Sequence, residues 1–126
     1  MRVLLVEDEV DTLAALRLLL ELDGHEVITA KNGSEGYREY LDHAPGLVIT
    51  DIDMPGIDGF ELSNIIRTDR TGPKTPIIVI TAHGGGTGRR ALAAGADRCL
   101  MKPYDYGELQ QAIEQVTAAD YDGILV

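Results

Sequence analysis

The sequence predicts an α/β domain in which a mostly parallel sheet is covered by helices on both faces. Three observations carry this. Apolar runs of about four to six residues alternate with longer segments of helical spacing, the mark of βαβ units whose strands are buried on both sides. The chain has 126 residues, the size of one domain that can bury its own core. Hydrophobic residues make up 44% and charged residues 25%, an ordinary balance for a globular fold.

Each element follows from local pattern. The expected strands are Arg2–Val6, Glu26–Ala30, Leu47–Thr50, Pro76–Thr81 and Cys99–Met101. After the first strand, Leu13, Ala14, Leu16 and Leu20 form an apolar helical stripe that stops near Asp23-Gly24, where glycine can take the left-handed cap. Tyr37 and Leu41 mark a second helix, and Phe60, Leu62, Ile65 and Ile66 a third. Ala91, Leu92 and Ala94 mark a short fourth, and Leu109, Ile113 and Val116 a fifth. Residues 1–118 read as the folded domain. Residues 119–126, ending in the apolar Gly123-Ile124-Leu125-Val126, read as a C-terminal tail, a docking strap or the start of a truncated linker.

Composition removes several function classes. A net charge of −10 opposes direct nucleic-acid binding, which draws its free energy from neutralised phosphates. No apolar run approaches the roughly 20 residues of a membrane span, and the run after Arg2 is too short for a signal peptide. A cytoplasmic location is expected. The one cysteine, Cys99, cannot form an internal disulfide, and no Cys/His cluster has zinc-ligand spacing.

In open parallel sheets, ligands sit beyond the carboxyl ends of the strands. Here those ends carry Glu7-Asp8-Glu9, Asp51-Ile52-Asp53, Thr81-Ala82 and Lys102-Pro103. Carboxylates crowded in one cleft repel one another unless a cation sits between them. Mg²⁺ suits such a site, because it takes hard oxygen ligands and needs few protein groups. A Glu-Asp pair after a strand is by itself more often a helix cap than a metal site; the coincidence with Asp51 is what favours the metal. A carboxylate at the tip of a central strand can attack phosphorus to give an acyl phosphate. Lys102, Thr81 and the cation would then share the charge of the three equatorial oxygens.

These residues resemble the receiver domains of two-component response regulators over about residues 2–118. The matching pieces are Leu4-Leu5-Val6-Glu7-Asp8, Asp51-Ile52-Asp53-Met54-Pro55-Gly56-Ile57-Asp58-Gly59, Ile80-Thr81-Ala82 and Ala94-Gly95-Ala96-Asp97 leading to Lys102-Pro103. The resemblance implies a flavodoxin-like doubly wound (βα)5 fold, five parallel strands in the order 2-1-3-4-5, with two helices on one face and three on the other. It implies that Asp51 is the phosphoacceptor, that Glu7, Asp8, Asp51 and the backbone carbonyl of Asp53 hold Mg²⁺, and that Thr81 and Lys102 are the switch hydroxyl and the phosphoryl-binding lysine. It implies a cis bond before Pro103. The implied partners are a sensor histidine kinase or a histidine phosphotransfer protein, and a downstream target the sequence does not name. The domain would act as a monomer or a phosphorylation-dependent dimer, catalysing its own phosphorylation and dephosphorylation rather than turning over a substrate.

Three departures stand out. Cys99 occupies the position, three before Lys102, where relatives carry a Tyr or Phe that moves inward on phosphorylation. The loop Ala82-His83-Gly84-Gly85-Gly86-Thr87-Gly88 is rich in glycine and one residue short, so the fourth helix should be short and mobile. Asp53 and His83 sit two residues beyond Asp51 and Thr81, positions that in the family flank the phosphoryl group and tune hydrolysis.

Two other readings compete. A haloacid-dehalogenase-type phosphatase would use Asp51-x-Asp53, Thr81, Lys102 and Asp120-x-Asp122, but its nucleophile opens the domain on the first strand, and Glu7-Asp8 would have no task. A degenerate receiver serving as a protein-binding scaffold is favoured by Cys99 and opposed by the complete reactive set. A nucleotide-binding module is weaker, since the turn after the first strand is acidic and lacks a glycine-rich phosphate cradle.

Overall fold

A computed structural model describes residues 1–69, 74–82, 84 and 86–125, with side chains through residue 118. Five βα units follow one another: β1 (Arg2–Val6), α1 (Val10–Leu22), β2 (Glu26–Ala30), α2 (Gly33–His43), β3 (Leu47–Asp51), α3 (Gly59–Thr68), β4 (Ile77–Thr81), α4 (Thr87–Ala93), β5 (Arg98–Met101) and α5 (Tyr106–Leu125). The strands form one parallel sheet in the order β2-β1-β3-β4-β5, as the resemblance implied.

Alternation along the strands splits the core in two. Val3 and Leu5 face α1 and α5 with Leu16, Leu20, Leu109 and Ile113, while Leu4 and Val6 face α2, α3 and α4 with Tyr40, Leu62, Ile66 and Ala91. Both layers are made of buried apolar side chains, and burial of this kind supplies most of the stability of a doubly wound domain.

Strand ends differ from the sequence reading by one residue. β3 includes Asp51, which pairs with Ile80, so the expected nucleophile is itself the last rung of the central strand. β4 begins at Ile77 because Pro76 has no N–H to give the ladder, although its carbonyl accepts from Val48 at 3.0 Å. β5 begins at Arg98.

Three helix faces also differ. In α2 the inward residues are Gly33, Gly36 and Tyr40, and Leu41 is exposed. Glycines let the helix approach closely: a Cβ on Gly36 would lie 3.0 Å from a Val6 methyl. In α4 Ala91 is buried and Leu92 exposed; on α1, Ala14 is exposed while Leu16 and Leu20 carry the burial. Gly24 takes the left-handed cap with φ +91°. The chain from 119 through 125, expected as a tail, continues α5 as helix.

The amino end of the sheet is clipped together by Arg67. Its Nε donates to the Gly95 carbonyl at 2.9 Å and its guanidinium pairs with Asp97 at 2.8 Å. Asp97 in turn accepts from the Ile77 N–H at 2.9 Å, and its own N–H reaches the Ile77 carbonyl at 2.8 Å. Gly95, at φ +116°, has no space for a Cβ, which would lie 2.8 Å from Arg67 Cβ. The carboxy-terminal end of α4 is therefore pinned to α3 and β4.

Candidate functional site

The opposite end of the sheet gathers the charged residues. Because β3 lies between β1 and β4, Asp51 is flanked by the turn after β1, which carries Glu7-Asp8, and by Thr81, the last residue of β4. Glu7, Asp51 and Thr81 are buried and Asp8 is exposed. One carboxylate oxygen from each of Glu7, Asp8 and Asp51 lies within 4.8 Å of the others. Lys102 Nζ stands 3.3 Å from Asp51 Oδ2 and 3.9 Å from Glu7 Oε1, offsetting part of their repulsion. The Lys102-Pro103 bond is cis, and the Lys102 N–H donates to the Thr81 carbonyl at 2.7 Å, which ties the lysine's backbone to the end of β4. The expected set of Glu7, Asp8, Asp51, Thr81 and Lys102 thus comes together.

The electrostatics are those of a compressed anionic cleft. Burial pushes the Glu7 carboxyl up to about 7, and the Asp51 charge adds to the rise, while the Glu9 N–H and Lys102 work against it. That N–H donates to Glu7 Oε2 at 3.1 Å. Tyr104, half-buried beside the site, is pushed up to about 12 by burial first and then by the charges of Glu7 and Asp51. Three hard oxygen donors, with the exposed Asp8 leaving room for retained water, fit Mg²⁺ and do not fit a soft or imidazole-seeking metal.

Of the residues expected to modulate the site, Asp53 and Cys99 lie among the described residues. Asp53 is exposed, and its N–H points at Asp51 Oδ1 over a long 3.4 Å. His83 lies outside the described residues. Cys99 is half-buried against the α2/α3/α4 layer, where burial raises its thiol pKa. Across from it stands Gly88 of α4, whose Cβ would lie 3.9 Å from Cys99 Cβ.

Glu9, the third acid of the opening run, turns away from the cleft. Its side chain accepts from the N–H groups of Asp11 and Thr12 and so caps α1. Asp58 caps α3 in the same way, accepting from Glu61 at 2.9 Å.

Sequence reasoning missed three contributors. Gly59 opens α3 directly against the strand that carries Asp51: a Cβ there would lie 2.4 Å from the Asp51 carbonyl oxygen and 2.7 Å from Ile52 Cα. Gly33 does the same for the following loop, since its Cβ would fall 2.2 Å from the Ile57 carbonyl. The signal for both was a glycine in a helical first turn, where propensity disfavours it. The third is Arg90, whose guanidinium carbon lies 4.1 Å from the centre of the Phe60 ring; no spacing rule links a residue of α3 to one of α4.

Comparison with known proteins agrees with this geometry. The family model for the response regulator receiver domain matches residues 3–114. The chain is 38% identical over 109 residues to the transcriptional regulatory protein PrrA of Mycobacterium tuberculosis, covering 86% of this chain and 46% of PrrA. It is 36% identical over 124 residues to the virulence sensor protein BvgS of Bordetella pertussis, covering 94% of this chain and 10% of BvgS. The crystal structure of the response regulator TrrA of Thermotoga maritima, in complex with Mg²⁺-BeF, superposes with a TM-score of 0.82 at 32% identity, covering 91% of this chain and 97% of that one. The chain spans half or less of the length of PrrA and BvgS.

Proposed function

The chain belongs to the response regulator receiver family, and from that premise we propose that it is a phosphoacceptor switch whose phosphoryl group is carried by Asp51. The observation that carries the reading is the meeting of three carboxylates and one lysine at the end of the central strand, with Lys102 Nζ 3.3 Å from Asp51 Oδ2.

In this reading an Asp51 carboxylate oxygen attacks the phosphorus of a phosphohistidine donor. The new O–P bond forms as the N–P bond breaks, and the imidazole leaves with the electron pair. Burial holds Asp51 in one orientation, since its strand is fixed by Ile80 on one side and the backbone by Gly59 beneath. Lys102 stabilises charge on one phosphoryl oxygen, and the buried Thr81 hydroxyl serves another. Glu7, Asp8 and Asp51, with the Asp53 carbonyl, would hold Mg²⁺, which neutralises charge on the transferring group. The complex of TrrA with Mg²⁺-BeF supports the assignment of the metal.

The partner is a sensor histidine kinase or a histidine phosphotransfer protein. Relatives as different as a transcriptional regulator and a sensor protein contain the same unit, so the output depends on the protein that carries or meets the domain. A cytoplasmic location is part of the proposal, and no helix among the described residues is long and apolar enough to cross a membrane. Action as a monomer or a phosphorylation-dependent dimer belongs to it as well. The dehalogenase reading loses ground, since Asp120 and Asp122 lie within α5 and not after a strand.

Incubation with acetyl phosphate and Mg²⁺ should give an adduct about 80 Da heavier, labile to hydroxylamine. Asp51→Asn should abolish it, and Asp8→Ala should slow its formation at fixed Mg²⁺ by at least tenfold, on the order of a lost metal ligand's effect. An Asp51→Asn protein that still gains the adduct refutes the assignment.

A further inference from the structure

On the α4 side of the site lies a pocket of 310 Å³ that the reaction as described does not use; its walls include Asp53, Asp58, Phe60, Thr87 and Arg90. It shares a wall with the phosphoacceptor, because the N–H of Asp53 points at Asp51 Oδ1. Arg90, which caps the pocket from α4, rests on the ring of Phe60 in the first turn of α3 at 4.1 Å.

The anchoring of α4 makes this stack consequential. Its carboxy-terminal end is held by Arg67 and Asp97. Its amino-terminal end begins at Gly86 without any side-chain cap, and the helix is only seven residues long. Arg90 lies in the last turn of this short helix, next to that anchor, and its contact with α3 bears on how the whole helix is seated. Cys99, facing Gly88 from β5, offers no ring to seat it.

Resting on the reading of Asp51 as the phosphoacceptor, we propose that Arg90, seated on Phe60, is a positioning residue that ties α4 to the charge at Asp51. Phosphorylation raises the negative charge beside the Asp53 wall. The guanidinium, which cannot lose its own charge and carries five donors in one plane, is drawn to that wall while keeping its flat contact with Phe60. The seven-residue helix that carries Arg90 shifts with it. A cation over an aromatic face at an exposed site is a weak contact, equivalent to about a two- to fivefold change in an equilibrium, which suits a helix held at one end.

The test is hydrogen exchange on the whole chain with acetyl phosphate and Mg²⁺, the adduct being counted by intact mass in the same samples. In the wild type the amides of residues 87–93 should exchange about two- to fivefold more slowly in the phosphorylated form. In Arg90→Gln and in Phe60→Leu that ratio should fall close to one while adduct yield is unchanged, and Arg90→Lys should keep part of it. Raising salt from about 0.05 M to about 0.5 M should shrink the wild-type ratio, since the link is electrostatic. Adduct formation with the full ratio retained in Arg90→Gln, or a wild-type ratio indifferent to salt, overturns the proposal. A wild type that takes no adduct overturns the phosphoacceptor reading beneath it, which separates the two failures.

Discussion

The turns after β1 and after β4 stand on either side of Asp51, and they are built from opposite materials. After β1, Glu9 spends its whole carboxylate on the first turn of α1, bonding to the N–H groups of Asp11 and Thr12 and to the Thr12 hydroxyl, and its own N–H fixes Glu7. The helix that follows runs for 13 residues. After β4 the chain passes through glycines into a helix of seven residues with no side-chain cap. The first turn holds carboxylates proposed to ligate Mg²⁺, which must keep their geometry; the second carries the helix proposed to respond. Order and freedom are thus distributed by capping and by glycine content around the proposed phosphoacceptor.

The largest expected effect sharpens the ordered half. Burial pushes the Glu7 carboxyl up to about 7 in the folded protein, against 4.5 for an ordinary glutamate. The native state therefore binds the extra proton between those values, and by linkage the metal-free fold loses stability as pH rises through that window. Relative to Glu7→Gln, the wild type should lose about 3 kcal/mol between pH 4.5 and pH 7.5. Saturating Mg²⁺ favours the ionised carboxyl and should remove or reverse this loss, so its stabilising effect should be greater at pH 7.5 than at pH 5.5. Urea melts at the two pH values, with and without Mg²⁺, measure it. Equal Mg²⁺ stabilisation at both would remove Glu7 from the metal site.

The ordered half was also the legible half. Glu7, Asp8, Asp51, Thr81 and Lys102 were found in the sequence because a parallel sheet brings all strand ends to one edge, so position along the chain was enough to predict their meeting. The core stripe of α1 and that of α5 were legible for the same reason, apolar side chains at helical spacing. What escaped notice depends on contacts across elements. The inner face of α2 is made of glycines, which carry no apolar signal, and Leu41 accordingly misled. Gly59 and Gly33 matter for the atoms a Cβ would strike, and Arg90 for a ring in another helix. Glu9 looked like part of the acidic cluster and is a cap.

A smaller effect breaks the comparison from the ordered side. Glu9→Ala removes the acceptor for the Asp11 and Thr12 amides and loosens the turn that fixes Glu7. Those two amides should exchange about fivefold faster, and the Mg²⁺ concentration needed for half-maximal stabilisation should rise, while exchange in α4 stays as it was. If Mg²⁺ binding is untouched by the change, the cap serves α1 alone and has no part in holding the cleft.

The smallest effect approaches from the loose side, by making α4 resemble α1. Gly88 lies within α4 at an ordinary negative φ, and among the described residues a Cβ there meets only Cys99 Cβ at 3.9 Å and Cys99 Sγ at 4.0 Å, so Gly88→Ala displaces none of them. Alanine restricts the unfolded chain and favours helix; in so short a helix the gain should be about 0.5 kcal/mol, or about 2 °C in the thermal midpoint. The Cβ also adds a contact between α4 and Cys99 of β5. If looseness of α4 is what allows phosphorylation to move it, the stiffened variant should form the Asp51 adduct at the wild-type rate yet show less change in α4 exchange between its two forms. The rate and the exchange difference separate the chemistry, which depends on the carboxylates and Lys102, from the response, which depends on the helix. A thermal midpoint that falls would mean that Gly88 is needed for packing against Cys99. An exchange difference as large as that of the wild type would mean that α4 moves as a rigid body on its Arg67 anchor, its internal flexibility playing no part.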